Sequence, residues 1–148
     1  MPATIRPPTP DDRPAWEVLY QGYAQFYRVE QTPEMRARVW GWLTDPAHEL
    51  RGLVAVGEDG TLLGLAHFRP FARPLSATVG GWLDDLFVSP QARGQGLAET
   101  LIAAISEEGR AAGWSVIRWI TAEDNYRARS AYDRLAERTK WVTYDIKL

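Results

Sequence analysis

Apolar side chains recur with helical spacing in four segments of the chain. The first segment predicts a helix whose apolar face is formed by Trp16, Leu19, Tyr20, Tyr23, Phe26 and Tyr27. A second helix begins at an N-cap threonine followed by proline, Thr32-Pro33, and its predicted buried face is Met35, Val39, Trp42 and Leu43. A third helix ends at Gly113 and buries Leu97, Leu101, Ile102 and Ile105. The fourth begins after Asn125 and carries the stripe Ala128, Ala131, Tyr132 and Leu135.

Short apolar runs between these helices predict six strands, at residues 4–6, 52–58, 62–71, 79–88, 116–121 and 141–146. The turn residues Glu58, Asp59 and Gly60 join the second and third strands into a hairpin. The resulting order, βααβββαβαβ, predicts a mixed α/β fold. A length of 148 residues fits one domain, so we assign residues 1–148 to a single domain.

Composition excludes several kinds of site and partner. The chain has no cysteine and two histidines, so it cannot form disulfides, thiolate metal sites or a histidine-rich metal site. A formal net charge of -2 predicts no general attraction to nucleic acid or anionic membranes. The N-terminal segment is rich in proline where a secretory signal needs an apolar run, and no run approaches the roughly 18 apolar residues of a membrane span. We therefore expect a cytoplasmic protein without nucleic-acid or membrane partners.

A strand, a turn with two glycines and a helix start follow one another at residues 86–97. Gly94 and Gly96 allow close approach of a ligand to the backbone, while the unpaired N–H groups of the helix start favour an anion. Arg93 adds a positive charge. The common phosphate motifs do not match, because Glu99 occupies the third glycine position of G-x-G-x-x-G. The segment therefore predicts either an anion site of another type or an ordinary turn.

Two motifs, taken together, resemble the GNAT superfamily of acyl-CoA-dependent N-acetyltransferases. Gln91-x-x-Gly94-x-Gly96 resembles the Q/R-x-x-G-x-G/A pyrophosphate motif of that family. Asn125, with Tyr132 further along the same helix, resembles its second signature, and the two motifs occur in the order and approximate spacing of the family.

Residues 83–88 and 132–144 look most like the Hpa-type subgroup, which is described as acetylating histones, polyamines or D-amino acids. Residues 136–138 replace the Gly-Phe pair that many GNAT members carry, and the Hpa-type subgroup also lacks that pair. The resemblance implies a GNAT fold, which is a mixed, mostly antiparallel central sheet flanked by about four helices. It also implies acetyl-CoA as cosubstrate and no metal.

The resemblance further assigns residues to the coenzyme. The backbone of the strand end would pair with the pantetheine arm through Leu86, Phe87 and Val88, and the Val88 region would polarise the thioester carbonyl. The pyrophosphate would bind the amides of Gly94, Gln95, Gly96, Leu97, Ala98 and Glu99, assisted by Gln91 and Arg93. Asn125 would contact the coenzyme near its reactive end. The last helix also carries Arg127, Arg129 and Arg134, which we predict to form a solvated face from which one side chain can reach a phosphate.

The chemistry of amide formation requires a base, because an alkyl ammonium with a pKa of about 10.4 has no free electron pair at neutral pH. By resemblance, Asp84 is the candidate base, acting through water, and Asp85 would bind a cationic acceptor. Consecutive strand residues point to opposite faces, so we expect these two acids to differ in role. Glu123 is a second candidate base, and Tyr132 is the acid that would protonate the thiolate. The structural alternatives are strand-end hydrogen bonding for the aspartates, a loop acid for Glu123 and a core tyrosine for Tyr132.

The acceptor wall is predicted to include Tyr27 and Trp82, with Tyr23 and Trp40 as further candidates, although core packing also explains each aromatic singly. The favoured function is direct acetyl transfer to a small primary amine, a polyamine or an amino acid, in a ternary complex. The alternatives are acetylation of a protein lysine or N-terminus, and a non-catalytic acyl-CoA sensor. The Hpa-type resemblance implies a homodimer, in which Trp141, Val142 and Tyr144 of the last strand pair across a subunit edge.

Overall fold

The computed structural model describes residues 3–148, which form one five-stranded sheet and four α-helices. In chain order these elements are β1 (Thr4–Arg6), α1 (Arg13–Phe26), α2 (Pro33–Thr44), β2 (Arg51–Val56), β3 (Leu62–Arg73), β4 (Thr78–Val88), α3 (Leu97–Ala112), β5 (Ile117–Arg118) and α4 (Tyr126–Leu135). Strand order follows the chain, with antiparallel pairing from β1 to β4 and parallel pairing of β4 with β5. The predicted architecture, a mixed and mostly antiparallel sheet with four helices, is confirmed.

Apolar residues on the two faces of the sheet form two separate cores. On one face, α1 and α2 pack against the sheet through Trp16, Tyr20, Trp40, Leu65 and Phe87. On the other face, α3 covers Leu53, Phe68, Leu83, Leu101 and Ile105. Alternate residues of the central strands supply each core, as expected for a sheet that is covered on both sides.

A shift of register between β3 and β4 changes the side-chain alternation at the two aspartates. His67 is opposite Asp85 and Phe68 is opposite Leu83, so Asp84 is the extra residue of a β-bulge. Leu83 and Leu86 both pack on the α3 face, whereas Asp85 bonds to Tyr20 of α1.

Asp84 shares the α1 face with Asp85. It pairs with Arg69, which lies two positions from His67 along β3 and therefore on the same face. The expectation that the two aspartates point to opposite faces is therefore wrong, because a bulge interrupts the period of two.

The two parallel strands, β4 and the edge strand β5, separate after a short contact. β5 pairs with β4 only at Gly81–Ile117 and Trp82–Arg118, so the predicted strand at 116–121 is reduced to two residues. Within residues 3–148, the rest of β4 has no strand partner on its β5 side. This separation opens a gap beside the end of β4.

Two further expectations were wrong. Residues 141–146 form no strand, because no strand among the described residues pairs with them. Their aromatic side chains stay in solvent, with Trp141 85% exposed and Tyr144 90% exposed. In α2, Met35 is exposed, whereas Trp40 is the buried aromatic. Among the described residues, no helix has the length and apolar content needed to cross a bilayer.

Candidate active site

A cleft of about 510 Å³ occupies the gap between the end of β4 and the starts of α3 and α4. Twelve of the predicted site residues line it, namely Tyr27, Leu86, Phe87, Val88, Arg93, Gly94, Gly96, Leu97, Ala98, Glu99, Asn125 and Tyr132. The fold therefore brings both sequence motifs to one cavity. We call this cavity the β4–α4 cleft.

The wall contributed by β4 offers unpaired backbone groups. Ser89 donates its N–H to the carbonyl of Leu63 on β3 at 2.7 Å. Because bonding direction alternates along an antiparallel ladder, Phe87 bonds toward β3, while Leu86 and Val88 direct their N–H and C=O groups toward the gap. An extended ligand that contains amides can bond to this edge as an added strand.

The start of α3 forms the end of the cleft that offers free backbone amides. Gly94 and Gly96 have φ values of 82° and 74°, a left-handed conformation that glycine adopts without a steric penalty. The first helical bond runs from the Thr100 N–H to Gly96, so the amides of Leu97, Ala98 and Glu99 have no helical acceptor. These amides and the positive end of the helix dipole favour a phosphate.

Arginines around this end add positive charge. Arg93 lies over the ring of Phe26 at 5.7 Å, and Arg134 approaches Glu99 at 3.9 Å. Arg127 and Arg134 both line the cleft, although we predicted a solvated face for them. Their spacing in the sequence indicates this position, because Arg127 and Arg134 fall on the same face of α4 as Ala131.

The opposite end of the cleft holds the two polar residues of the second motif. The Nδ2 atom of Asn125 is 3.4 Å from the hydroxyl of Tyr27. Tyr132 packs edge-on against Trp119, and burial, with a contribution from Tyr27, raises its pKa to about 12. Its phenol is therefore protonated at neutral pH and can donate a proton into the cleft.

The two bulge aspartates have opposite electrostatic environments. Burial raises the pKa of Asp84, and the Arg69 guanidinium, at 3.0 Å, limits that rise. Burial also acts to raise the pKa of Asp85, but hydrogen bonds from His67 and Tyr20, both 2.8 Å long, outweigh it and hold this pKa below its ordinary value. Asp84 is consequently the stronger base of the two, and Asp85 the more persistent anion.

These aspartates adjoin the β4–α4 cleft without lining it. They directly precede Leu86 on β4, and α1 connects the two regions through Tyr23, whose ring lies 5.9 Å from Phe87 and 5.0 Å from Tyr27. Phe87 and Tyr27 both line the cleft, so the aspartate pair lies next to it on the α1 face.

The remaining predicted residues lie elsewhere. Trp82 lines a second cavity of about 550 Å³ together with Phe71 and Arg118. Glu123 is an exposed loop residue, and neither Gln91 nor Gln95 lines the cleft. Trp40 belongs to the core, packed 5.0 Å from Trp16, which corrects its assignment to the acceptor wall. Within residues 3–148, no group of three His, Asp or Glu side chains is arranged to hold a metal ion.

Comparisons with known proteins agree with this geometry. The model of the Acetyltransferase (GNAT) family matches residues 16–136. The D-amino-acid N-acetyltransferase HPA3 of Saccharomyces cerevisiae is 28% identical over 136 residues, which cover 91% of this chain and 84% of that protein. The aminoglycoside N(6')-acetyltransferase type 1 of Stenotrophomonas maltophilia is 26% identical over 154 residues, covering 95% and 90% of the two chains.

Solved structures share the fold. A probable acetyltransferase superposes with a TM-score of 0.86 at 22% identity, covering 98% of this chain and 97% of that one. An aminoglycoside N-acetyltransferase, AAC(6')-Iy, in complex with CoA superposes with a TM-score of 0.82 at 21% identity, covering 98% and 94%. From the family match and these relatives, the chain belongs to the GNAT acetyltransferase family and is an acetyl-CoA-dependent N-acetyltransferase.

Proposed function

We propose that the enzyme transfers the acetyl group of acetyl-CoA to the primary amine of a small molecule, a polyamine or an amino acid, by direct attack in a ternary complex. The observation that carries this proposal is the bulge in β4. It places a carboxylate of raised pKa, Asp84, and a carboxylate of lowered pKa, Asp85, on one face beside the cleft. A cationic amine needs both an anion that attracts it and a base that removes its proton.

The β4–α4 cleft would hold acetyl-CoA along its length. The free edge of β4 at Leu86 and Val88 offers hydrogen bonds to the amides of the pantetheine arm. The unpaired amides at the start of α3, with Arg93 and the arginines of α4, favour the phosphates. Gln91 and Gln95 are outside the cleft lining, so the proposed coenzyme site does not depend on their side chains.

Asp85 would bind the acceptor ammonium and Asp84 would accept its proton through water. The freed amine attacks the thioester carbonyl, whose developing oxyanion is stabilised by the amide of Val88. Collapse of the tetrahedral intermediate breaks the carbon–sulfur bond, and Tyr132 protonates the departing thiolate. The amide nitrogen then loses its second proton, which returns through water to the Tyr132 oxygen. Because the sequence contains no cysteine, we propose direct transfer without an acyl-cysteine intermediate. The exposed position of Glu123 favours Asp84 over it as the base.

Two relatives support a small acceptor. Their names assign D-amino acids to one and aminoglycosides to the other, and both kinds of molecule carry amines. Tyrosines of α1 lie beside the aspartate pair, since Tyr20 bonds Asp85 and the ring of Tyr23 lies 6.1 Å from that of Tyr20. Aromatic walls of this kind suit a small ligand better than an extended peptide.

The test measures CoA release, with the product mass confirmed, over polyamines, D- and L-amino acids, an aminoglycoside and a histone-tail peptide. Wild type is compared with Tyr132→Phe, which should lower kcat by about tenfold, or about 1.4 kcal/mol. Isothermal titration of acetyl-CoA is the control, and it should give equal affinity for both proteins. Turnover with the peptide alone would indicate a protein acetyltransferase. Binding of acetyl-CoA without turnover on any acceptor would indicate a sensor.

We also propose a homodimer formed through the C-terminal segment, residues 137–148. Its side chains Trp141, Val142, Tyr144 and Ile146 are between 73% and 90% exposed, while the outer edge of β5 has no strand partner among the described residues. The exposed apolar segment of one copy can therefore cover the open sheet edge of a second copy, and the second copy can do the same in return.

A cytoplasmic location stays a prediction.

Light scattering tests the dimer. Trp141→Asp combined with Tyr144→Asp should convert a dimer to a monomer at micromolar concentration. Val18→Asp, at an exposed position of α1 away from the segment, is the control and should leave the mass unchanged. A wild-type protein that is monomeric throughout this range would remove the proposal.

A further inference from the structure

A buried chain of hydrogen bonds links helix α1 to the aspartate pair. The indole nitrogen of Trp16 donates to Nε2 of His67 at 2.9 Å, and Nδ1 of His67 lies 2.8 Å from Oδ2 of Asp85. Tyr20 donates its hydroxyl to the same Oδ2 atom at 2.8 Å. Trp16 and His67 are each only 1% exposed, so this end of the chain lies out of solvent, whereas Asp85 is partly exposed.

The chemistry of the indole determines the protonation of the histidine. An indole nitrogen can only donate a hydrogen bond, so Nε2 of His67 must accept and therefore carries no proton. The single ring proton then sits on Nδ1, where it donates to Asp85. A proton on Nε2 would set two donors against each other in a buried site, which costs free energy.

We propose that Trp16 is a positioning residue for the acceptor, because it holds His67 in the Nδ1–H tautomer and so keeps the Asp85 carboxylate oriented and anionic. Tyr20 is the second donor to the same oxygen. With Oδ2 occupied by these two donors, the other oxygen of Asp85 is left for an ammonium group and the nearby Tyr23 hydroxyl. This inference rests on the proposed function, in which Asp85 binds a cationic amine.

Nuclear magnetic resonance of protein labelled with 15N-histidine tests the tautomer directly. Only His48 and His67 contribute signals, and His48→Gln assigns them. We expect a protonated Nδ1 and an unprotonated Nε2 for His67 at neutral pH in the wild type, and loss of this single pattern in Trp16→Phe. A protonated Nε2 in the wild type would overturn the inference.

Kinetics test the consequence for the acceptor. Trp16→Phe should raise KM for the amine by about tenfold, as expected for losing a hydrogen-bonded constraint on a charged group, and leave KM for acetyl-CoA unchanged. Trp40→Phe is the matched control, because it removes similar volume from the same aromatic cluster and keeps the bond to His67. Equal KM values for the amine in Trp16→Phe and wild type would overturn this inference and leave the proposed function standing.

A double-mutant cycle separates positioning from packing. In a His67→Asn background, an amide N–H can still donate to Asp85, so KM for the amine should stay closer to wild type than in His67→Leu. Trp16→Phe should then add no further increase to KM. An undiminished effect of Trp16→Phe in this background would show that Trp16 acts by packing. Absence of turnover in the wild type would overturn the proposed function, and this inference with it.

Discussion

The β4–α4 cleft and the aspartate pair adjoin each other on β4, yet different interactions build them. At the end of β4 and the start of α3, the cleft is built from backbone groups of residues close together in the chain, and side chains of α1 and α4 complete it. The aspartate pair is held by side chains from distant parts of the chain, since Asp84 bonds Arg69 and Asp85 bonds Tyr20, 65 positions earlier. The proposed coenzyme site thus depends largely on local conformation, whereas the proposed acceptor site depends on tertiary contacts.

The largest effect that separates the two regions is expected from Asp84→Asn. Loss of the base should lower kcat/KM for the amine by about 100-fold, because general base catalysis contributes roughly that much or more. Affinity for acetyl-CoA should not change, since Asp84 does not line the cleft. Asp133→Asn, at an exposed carboxylate of α4, is the matched control and should retain full activity. Full activity of Asp84→Asn would assign the base to another group.

The reverse effect is expected from Gly96→Val. A β-branched side chain at a φ of 74° is strained, and a Cβ there would approach Glu99 at 3.2 Å. Calorimetry should show acetyl-CoA affinity reduced by about tenfold, with KM for the amine nearly unchanged. Gly113→Val is the control, because that glycine has a φ of 76° at the far end of α3, outside the cleft. Equal losses of affinity in both variants would mean that strain in α3, and not the turn, weakens binding.

The smallest effect is expected on stability, at Asp12, the residue that directly precedes α1. Helix α1 supports the aspartate pair through Tyr20. The Arg6 guanidinium, with the amide of Thr9, holds the pKa of Asp12 at about 2, below its ordinary value of 3.8. A lowered pKa stabilises the fold above the unfolded value, and that stability is lost as the pH falls from about 4 toward 2.

Asp12→Asn should therefore lower the free energy of unfolding by about 1–2 kcal/mol at pH 7, after allowance for the partly exposed Arg6. Urea denaturation at pH 7 and near pH 3 checks this, and the difference from wild type should narrow at the lower pH. Glu34→Gln, at the exposed start of α2, is the control. A difference that does not change with pH would contradict the assigned cause.

Most helices and strands could be predicted because their ends are set by residues that are neighbours in the sequence. The Thr32-Pro33 start of α2 and the Gly113 end of α3 occur where capping chemistry predicts them. The glycine turn was recognisable for the same reason, since left-handed backbone at Gly94 and Gly96 needs residues without a side chain. In the last helix, Arg127 and Arg134 line the cleft but were not part of the predicted apolar stripe. Helical spacing identifies the residues of one face and does not tell whether that face meets a core or a ligand.

Errors arose where partners distant in the sequence decide the outcome. Residues 141–146 alternate like a strand but pair with no strand among the described residues, and an unpaired strand gains no ladder hydrogen bonds. Trp40 and Trp82 carry the same side chain, yet one lies in the core and the other lines a cavity. Only the folded chain shows that the ring of His67 joins Trp16 to Asp85.

The sequence by itself determined the helices, most strands, the anion-binding turn and the family, because each depends on residues that are neighbours along the chain. The tertiary structure alone decided the separation of β4 from β5, the bulge that brings Asp84 and Asp85 to one face, and the buried contacts of Asp85. Sheet register and buried hydrogen bonds result from the packing of α1 on the sheet, which joins residues far apart in sequence. The proposed acceptor side of this enzyme therefore became visible only in the folded chain.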